Sequence, residues 1–111
     1  MTYSGTITPG LAEKALAYLV DSDVDAAMAK ARVDLLDDRK KTILADEYMK
    51  ASGSQGDRIK AAESSEAYKS HIQKLHDARY EWEIIRNKRK SAELQIEMWR
   101  SQNANMRRGN V

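Results

Sequence analysis

Residues 68–106 read YKSHIQKLHDARYEWEIIRNKRKSAELQIEMWRSQNANM, and this stretch decides the fold. Its apolar residues recur at alternating intervals of three and four, with one interval of three repeated, which is the period of a coiled-coil helix. No Gly or Pro lies between Gly56 and Gly109 to interrupt the pattern. We therefore predict a helix over about 65–106, which would extend for roughly 60 Å. The stripe consists of Tyr68, Ile72, Leu75, Ala78, Trp82, Ile85, Arg89, Ala92, Ile96, Trp99, Asn103 and Met106.

The N-terminal residues predict a loose arm followed by a short helix. Residues 1–8 are small and polar and have no neighbouring segment with which to pair, so a flexible arm is expected there. Thr8 followed by Pro9 is typical of a helix N-cap and the first helical position. The spacing of the next apolar residues predicts a helix over about 9–20, and residues 9–111 are expected to form a single helical domain.

Residues 22–64, between the two helices described above, predict a second helix followed by a reversal of the chain direction. Ser22 and the acids around it favour a new helix N-terminus, which predicts a helix over about 22–51. The glycines of residues 52–56 favour a hairpin turn. Residues 57–64 predict one or two further helical turns, capped by Asp57. The expected apolar stripe of the second helix consists of Val24, Met28, Ala31 and Leu35, and Ile43 and Leu44 resume it after the polar residues 37–41.

Composition favours helices that pack along thin seams. Of 111 residues, 41% are apolar and 32% are charged, and Phe is absent, so a thick core is not expected. The fold class predicted is all-α, an elongated helical hairpin or coiled coil with a short N-terminal helix. The second helix would reach only about 45 Å, leaving Ile96, Met98 and Trp99 without cover unless the first helix or another subunit supplies it. A homo-oligomer is therefore expected.

Several functional classes are not supported by the sequence. The chain has no Cys, which excludes disulfides and thiolate chemistry and favours a reducing compartment such as the cytoplasm. No apolar run approaches the roughly 18 residues that a membrane span needs. His71 and His76 lie five residues apart, a spacing at which the side chains of a helix point in different directions. The acids that lie one or two positions apart also point in different directions; these are Asp37 and Asp38, Asp46 and Glu47, and Glu81 and Glu83. We therefore predict a non-enzymatic protein with no cofactor, no metal site and no membrane partner.

Basic residues are concentrated near the C-terminus. After position 85 the sequence contains seven basic residues and only two acidic ones, Glu93 and Glu97. Such a cluster is suited to neutralising phosphates. Trp82, Trp99 or Tyr80 would be available to stack on unpaired bases. The alternative is an ordinary solvated basic face, with both tryptophans in the helix seam. The candidate nucleic-acid-binding residues are Arg86, Lys88, Arg89, Lys90, Arg100, Arg107 and Arg108.

Arg89 occupies a seam position where an apolar residue is expected. Such an arginine can specify the helix register by pairing with an acid of the second helix or of another subunit. Alternatively, a slight rotation of the helix would let its side chain extend to solvent. The seam also supplies the residues expected at an interface with a partner or another copy, which are Ile72, Leu75, Trp82, Ile85, Ile96 and Trp99.

Three runs of the last helix carry a resemblance to known proteins. They read ARY over 78–80, RNKRKSAE over 86–93 and IEMWRSQNAN over 96–105. The helix resembles small helical proteins that tailed phages encode near their recombination and replication genes. More distantly, it is similar to the UvsY-type recombination mediators. The first fifty residues do not match that pattern.

The resemblance implies a ring-forming oligomer that binds single-stranded DNA and helps to load a recombinase onto strands covered by single-strand-binding protein. It assigns Trp99 and Arg100 to the end of the core helix. If the chain is phage-encoded, its location would be the cytoplasm of the bacterial host. The residues to which the resemblance assigns phosphate contacts are Arg86, Lys88, Arg89 and Lys90.

Two functional hypotheses follow. The first is a phage-type accessory of DNA recombination or replication that oligomerises and binds single-stranded DNA, with mediation of a recombinase as its narrower form. The second is a non-catalytic coiled-coil adaptor or inhibitor that acts through protein–protein contacts, in phage assembly or against a host defence complex. The apolar residues Ile96 and Trp99 favour the second hypothesis, because they would suit recognition of a helix in a groove.

Overall fold

The computed structural model describes residues 6–109, which form four helices and, within that range, no strand. The all-α prediction is confirmed. None of these helices is both long and apolar enough to cross a membrane. The elements are α1 (Pro9–Asp21), α2 (Asp23–Lys50), α3 (Gln55–Glu63) and α4 (Glu66–Gly109).

The chain is divided into two compact units. Of the described residues, 6–26 pack with 84–109 in the first unit, and residues 27–83 form the second. In the first unit α1 lies antiparallel to the C-terminal half of α4. In the second, the larger part of α2 and the first half of α4 form a hairpin, which α3 joins.

The first unit is built on small residues. Ala12 and Ala15 of α1 and Ala92 of α4 are buried, so the two helices approach closely with little side-chain volume between them. Thr8 caps α1 as predicted, its hydroxyl accepting from the Leu11 N–H at 3.2 Å. The sequence left open what covers the end of the long helix, and α1 of the same chain lies against it.

Ile7 differs from the predicted flexible arm. Its side chain is buried, and its N–H donates to Gln102 Oε1 at 3.1 Å. The arm therefore does not extend to residue 8, because Ile7 continues the contact of α1 with α4. Residues 1–5 of the predicted arm lie outside the described residues.

The second unit is organised around Leu75, which is only 1% exposed. Beside it, His71 is buried, and its Nε2 lies 2.6 Å from the Leu36 carbonyl of α2. Arg79 Nη2 donates to Asp37 Oδ1 at 3.1 Å. Both side chains of this pair are about half exposed, so it adds little stability and mainly reflects the register of α2 on α4.

The predicted apolar stripe of α2 is wrong at its first four residues, whereas its last two, Ile43 and Leu44, are half-buried. Val24, Met28 and Leu35 are each at least half exposed, and Ala31 is exposed as well. The side of α2 that packs is a different one, because α2 carries two helix-spaced apolar stripes and only one can face α4. The residues of α2 that are buried or half-buried on the packed side include Ala26, Ala29, Val33, Leu36, Ile43 and Leu44.

The reversal between α2 and α4 contains more helix than predicted. Gly53 has φ of +107°, a left-handed conformation that glycine adopts without strain. Ser54, not Asp57, caps α3, its hydroxyl accepting from the Asp57 N–H at 3.2 Å. Ser65 Oγ then donates to the Ala62 carbonyl and accepts from the Tyr68 N–H at the start of α4.

Candidate nucleic-acid interface

A basic cleft lies between α1 and α4 in the first unit. We call it the lysine cleft; its volume is about 410 Å³. Ala15 and Ala92, both buried, form its floor, and longer polar side chains form its walls. The wall residues are Lys14 and Tyr18 of α1 with Asn87, Lys88, Ser91 and Gln95 of α4.

Helical spacing explains why these side chains converge. Lys14 and Tyr18 are one turn apart and therefore lie on one side of α1. Lys88, Ser91 and Gln95 follow one another at intervals of three and four along α4, so they also share a side. The antiparallel packing of α1 on α4 then brings the two sides together.

The lysine cleft is electropositive. None of the described residues that line it is acidic, and neither the Lys14 nor the Lys88 ammonium forms an ion pair among residues 6–109. Ser91, Asn87 and Gln95 supply hydroxyl and amide donors. The half-buried ring of Tyr18 adds a flat apolar surface. Two ammonium groups with nearby neutral donors are suited to a phosphate-bearing ligand.

Of the residues that the sequence assigned to nucleic acid, only Lys88 lines the lysine cleft. Arg86 and Lys90 lie on the exposed surface of α4. Arg107 and Arg108 are exposed in its last turn. Sequence reasoning missed Lys14, because it lies 74 positions from Lys88 in a segment that is otherwise acidic.

Arg89 is directed into the protein and not toward a ligand. Its Nη1 donates to the Leu19 carbonyl and to Ser22 Oγ, both at 2.8 Å, and its Nη2 lies 3.3 Å from Asp23 Oδ1. The side chain is 22% exposed. The prediction of a phosphate contact at Arg89 is therefore corrected, and the predicted pairing with an acid of the second helix is confirmed.

Ser22, the C-cap residue of α1, takes part in the same network. Its hydroxyl donates to the Tyr18 carbonyl at 2.5 Å and accepts from Arg89. Carbonyls in the last turn of a helix lack intrahelical partners. Arg89 satisfies one of them, at Leu19, whereas the Tyr18 carbonyl accepts from both the N–H and the hydroxyl of Ser22. The bonds of Arg89 to Leu19 and Ser22 hold the junction of α1 and α2 against α4.

Arg100 belongs to the opposite side of the α1–α4 pair. Its Nη1 donates to Glu97 Oε1 at 3.0 Å. Both side chains are about two-thirds exposed, so this ion pair contributes little to the stability of the fold. Arg100 lines an apolar groove with Leu16, Ile96 and Trp99, and it does not reach the lysine cleft.

The predicted interface residues divide between interior and surface. Leu75 is buried within the second unit and is not available to a partner, which corrects its assignment. Ile72, Trp82 and Ile85 are half-buried along the seam. Ile96 and Trp99 line the apolar groove and remain accessible.

Residues 6–109 contain no group of three or more His, Asp or Glu side chains arranged to hold a metal ion. His71 contacts a backbone carbonyl, and His76 is exposed. No known protein family matches this chain, and no curated protein or solved structure is significantly similar to it. The lysine cleft therefore carries the functional argument by its own chemistry.

Proposed function

We propose that this chain is a non-enzymatic accessory protein that binds the phosphate backbone of single-stranded DNA in the lysine cleft. The observation that carries the proposal is the convergence of Lys14 and Lys88 from two helices on a cleft without acidic walls. The resemblance of α4 to phage proteins favours a role in recombination or replication, with loading of a recombinase as the narrower form.

A single strand suits the cleft better than a duplex. Its volume of about 410 Å³ lies in the range of sites that take nucleotide-sized groups. Tyr18 would offer its ring to a base, and only an unpaired base has a free face with which to stack. Lys90, Arg107 and Arg108 are exposed on α4 outside the cleft, and their charge would favour the approach of a phosphate backbone without contacting the strand in the cleft.

The test is fluorescence anisotropy of labelled oligo-dT titrated with the protein at several salt concentrations. We expect log affinity to fall linearly with log salt. Lys14→Gln and Lys88→Gln should each weaken binding several-fold and reduce the magnitude of that slope by about 0.7 for every phosphate that the variant no longer neutralises. Tyr18→Leu should weaken binding and leave the slope unchanged, because stacking releases no counterion.

Lys74→Gln is the matched control. Lys74 is exposed on α4 in the second unit, and its substitution removes the same charge without touching the cleft. Equal losses of affinity in Lys74→Gln and the two cleft variants would show that net charge alone governs binding. No binding of the wild-type chain at low salt would exclude the proposed function.

A second candidate function is the protein-interaction adaptor, and the apolar groove favours it. Leu16, Ile96 and Trp99 line it. A groove of this kind accepts an amphipathic helix. In this function the groove, and not the lysine cleft, would be the active surface.

A further inference from the structure

The apolar groove lies on the side of the α1–α4 pair opposite the lysine cleft. It comprises two adjoining hollows of about 280 and 430 Å³, which share Leu16, Ile96 and Arg100. Pro9 and Trp99 complete one hollow and Leu19 the other. The charged side chains at its rim are Glu13, Glu93, Glu97 and Arg100.

An apolar ridge adjoins this groove in the same unit. Leu16, Val20 and Val24 follow one another at intervals of four along α1 and the start of α2 and are 57%, 68% and 67% exposed. Isolated exposed apolar residues are ordinary, but a continuous row beside an apolar groove is typical of an interaction surface. Leu16 belongs to both features, so the groove and the ridge form one surface.

We propose that the apolar groove binds the ridge of a second copy of this chain. A surface that carries both a ridge and a groove of the same apolar character can complement itself, as a twofold interface requires. Three acids and one arginine at the rim disfavour nucleic acid as the occupant. Because the lysine cleft is on the opposite side of the helix pair, it stays open when the groove is filled.

The experiment is sedimentation velocity of the full chain over a wide range of protein concentration, with three variants. We expect wild-type chain to self-associate and both Leu16→Gln and Val20→Gln to weaken that association about tenfold or more. Leu94→Gln is the matched control, because Leu94 is a similarly exposed leucine (55%) of the same unit on α4 and lines neither hollow. It should associate like the wild type.

Two results of this experiment would overturn the proposed self-association. A wild-type chain that stays monomeric throughout would overturn it, as would a Leu94→Gln variant that dissociates while Leu16→Gln does not. Far-UV circular dichroism checks that the variants remain helical, which the exposure of all three positions predicts. Raising the salt concentration should preserve or strengthen association by screening the rim acids. It should weaken oligo-dT binding, so the two activities can be abolished independently.

Discussion

At the scale of single residues, Arg89 joins α4 to the junction of α1 and α2. Its guanidinium satisfies the Leu19 carbonyl and the Ser22 hydroxyl, and Ser22 is buried. We expect Arg89→Ala to lower the free energy of unfolding by about 1–3 kcal/mol, the cost of leaving such groups unpaired. The ion pair with Asp23 contributes little, because that carboxylate is 77% exposed. Urea denaturation followed by circular dichroism measures the change.

Lys90 provides the control for Arg89. It is exposed at the next position of α4, so Lys90→Ala should change stability by no more than about 0.5 kcal/mol. Equal stability of the two alanine variants would contradict the role assigned to Arg89. An intermediate loss of stability in Arg89→Lys would agree with it, since lysine keeps the charge but lacks the forked donors.

At the scale of the elements, the turn between α2 and α3 depends on Gly53. A Cβ at this position would lie 3.2 Å from Asp57 Oδ2 and 3.3 Å from Asp57 Cβ, and φ is +107°. We expect Gly53→Ala to lower the free energy of unfolding by about 1–2 kcal/mol. Gly56 lies in α3, where a Cβ meets no atom closer than 4.0 Å. Gly56→Ala should therefore raise the free energy of unfolding by about 0.5–1 kcal/mol. Thermal denaturation tests both variants, because the midpoint should fall for Gly53→Ala and rise for Gly56→Ala.

The sequence predicted the elements well because their signals are local. The signals for the seam of α4, for the Thr8–Pro9 start of α1 and for the turn at Gly53 each come from neighbouring residues. The packed side of the first part of α2 could not be predicted, because its two apolar stripes have the same spacing and only contact with α4 distinguishes them. The same reason applies to Ile7, whose backbone N–H donates to Gln102, 95 positions away.

Of the two lysines that line the lysine cleft, the sequence predicted only one. Lys88 was visible in the basic run of α4, since clustered charge is a property of the sequence. Lys14 has an acidic neighbour, Glu13, and no basic residue within fifteen positions on either side. Its relation to Lys88 arises only from the antiparallel register of α1 on α4, which no spacing along the chain encodes.

At the scale of the whole molecule, self-association through the apolar groove would contribute to stability. A partner that binds only the folded chain stabilises it by mass action. We therefore expect the midpoint of thermal unfolding to rise with the concentration of wild-type protein and to stay constant for Leu16→Gln. Differential scanning calorimetry over a series of concentrations measures this. A midpoint that does not depend on concentration in the wild type would contradict the expectation.

The attachment of α1 has a consequence for its motion. This helix buries only two alanines and is held near its start by Ile7 and near its end by Arg89. With so little apolar contact, we expect α1 to detach from α4 by local opening more readily than the chain unfolds. The lysine cleft exists only while α1 is attached, because Lys14 and Tyr18 form one of its walls. A strand lying in the cleft would therefore hold α1 in place and slow the exchange of its amide protons with solvent, so occupancy of the site and order of the first helix would rise together.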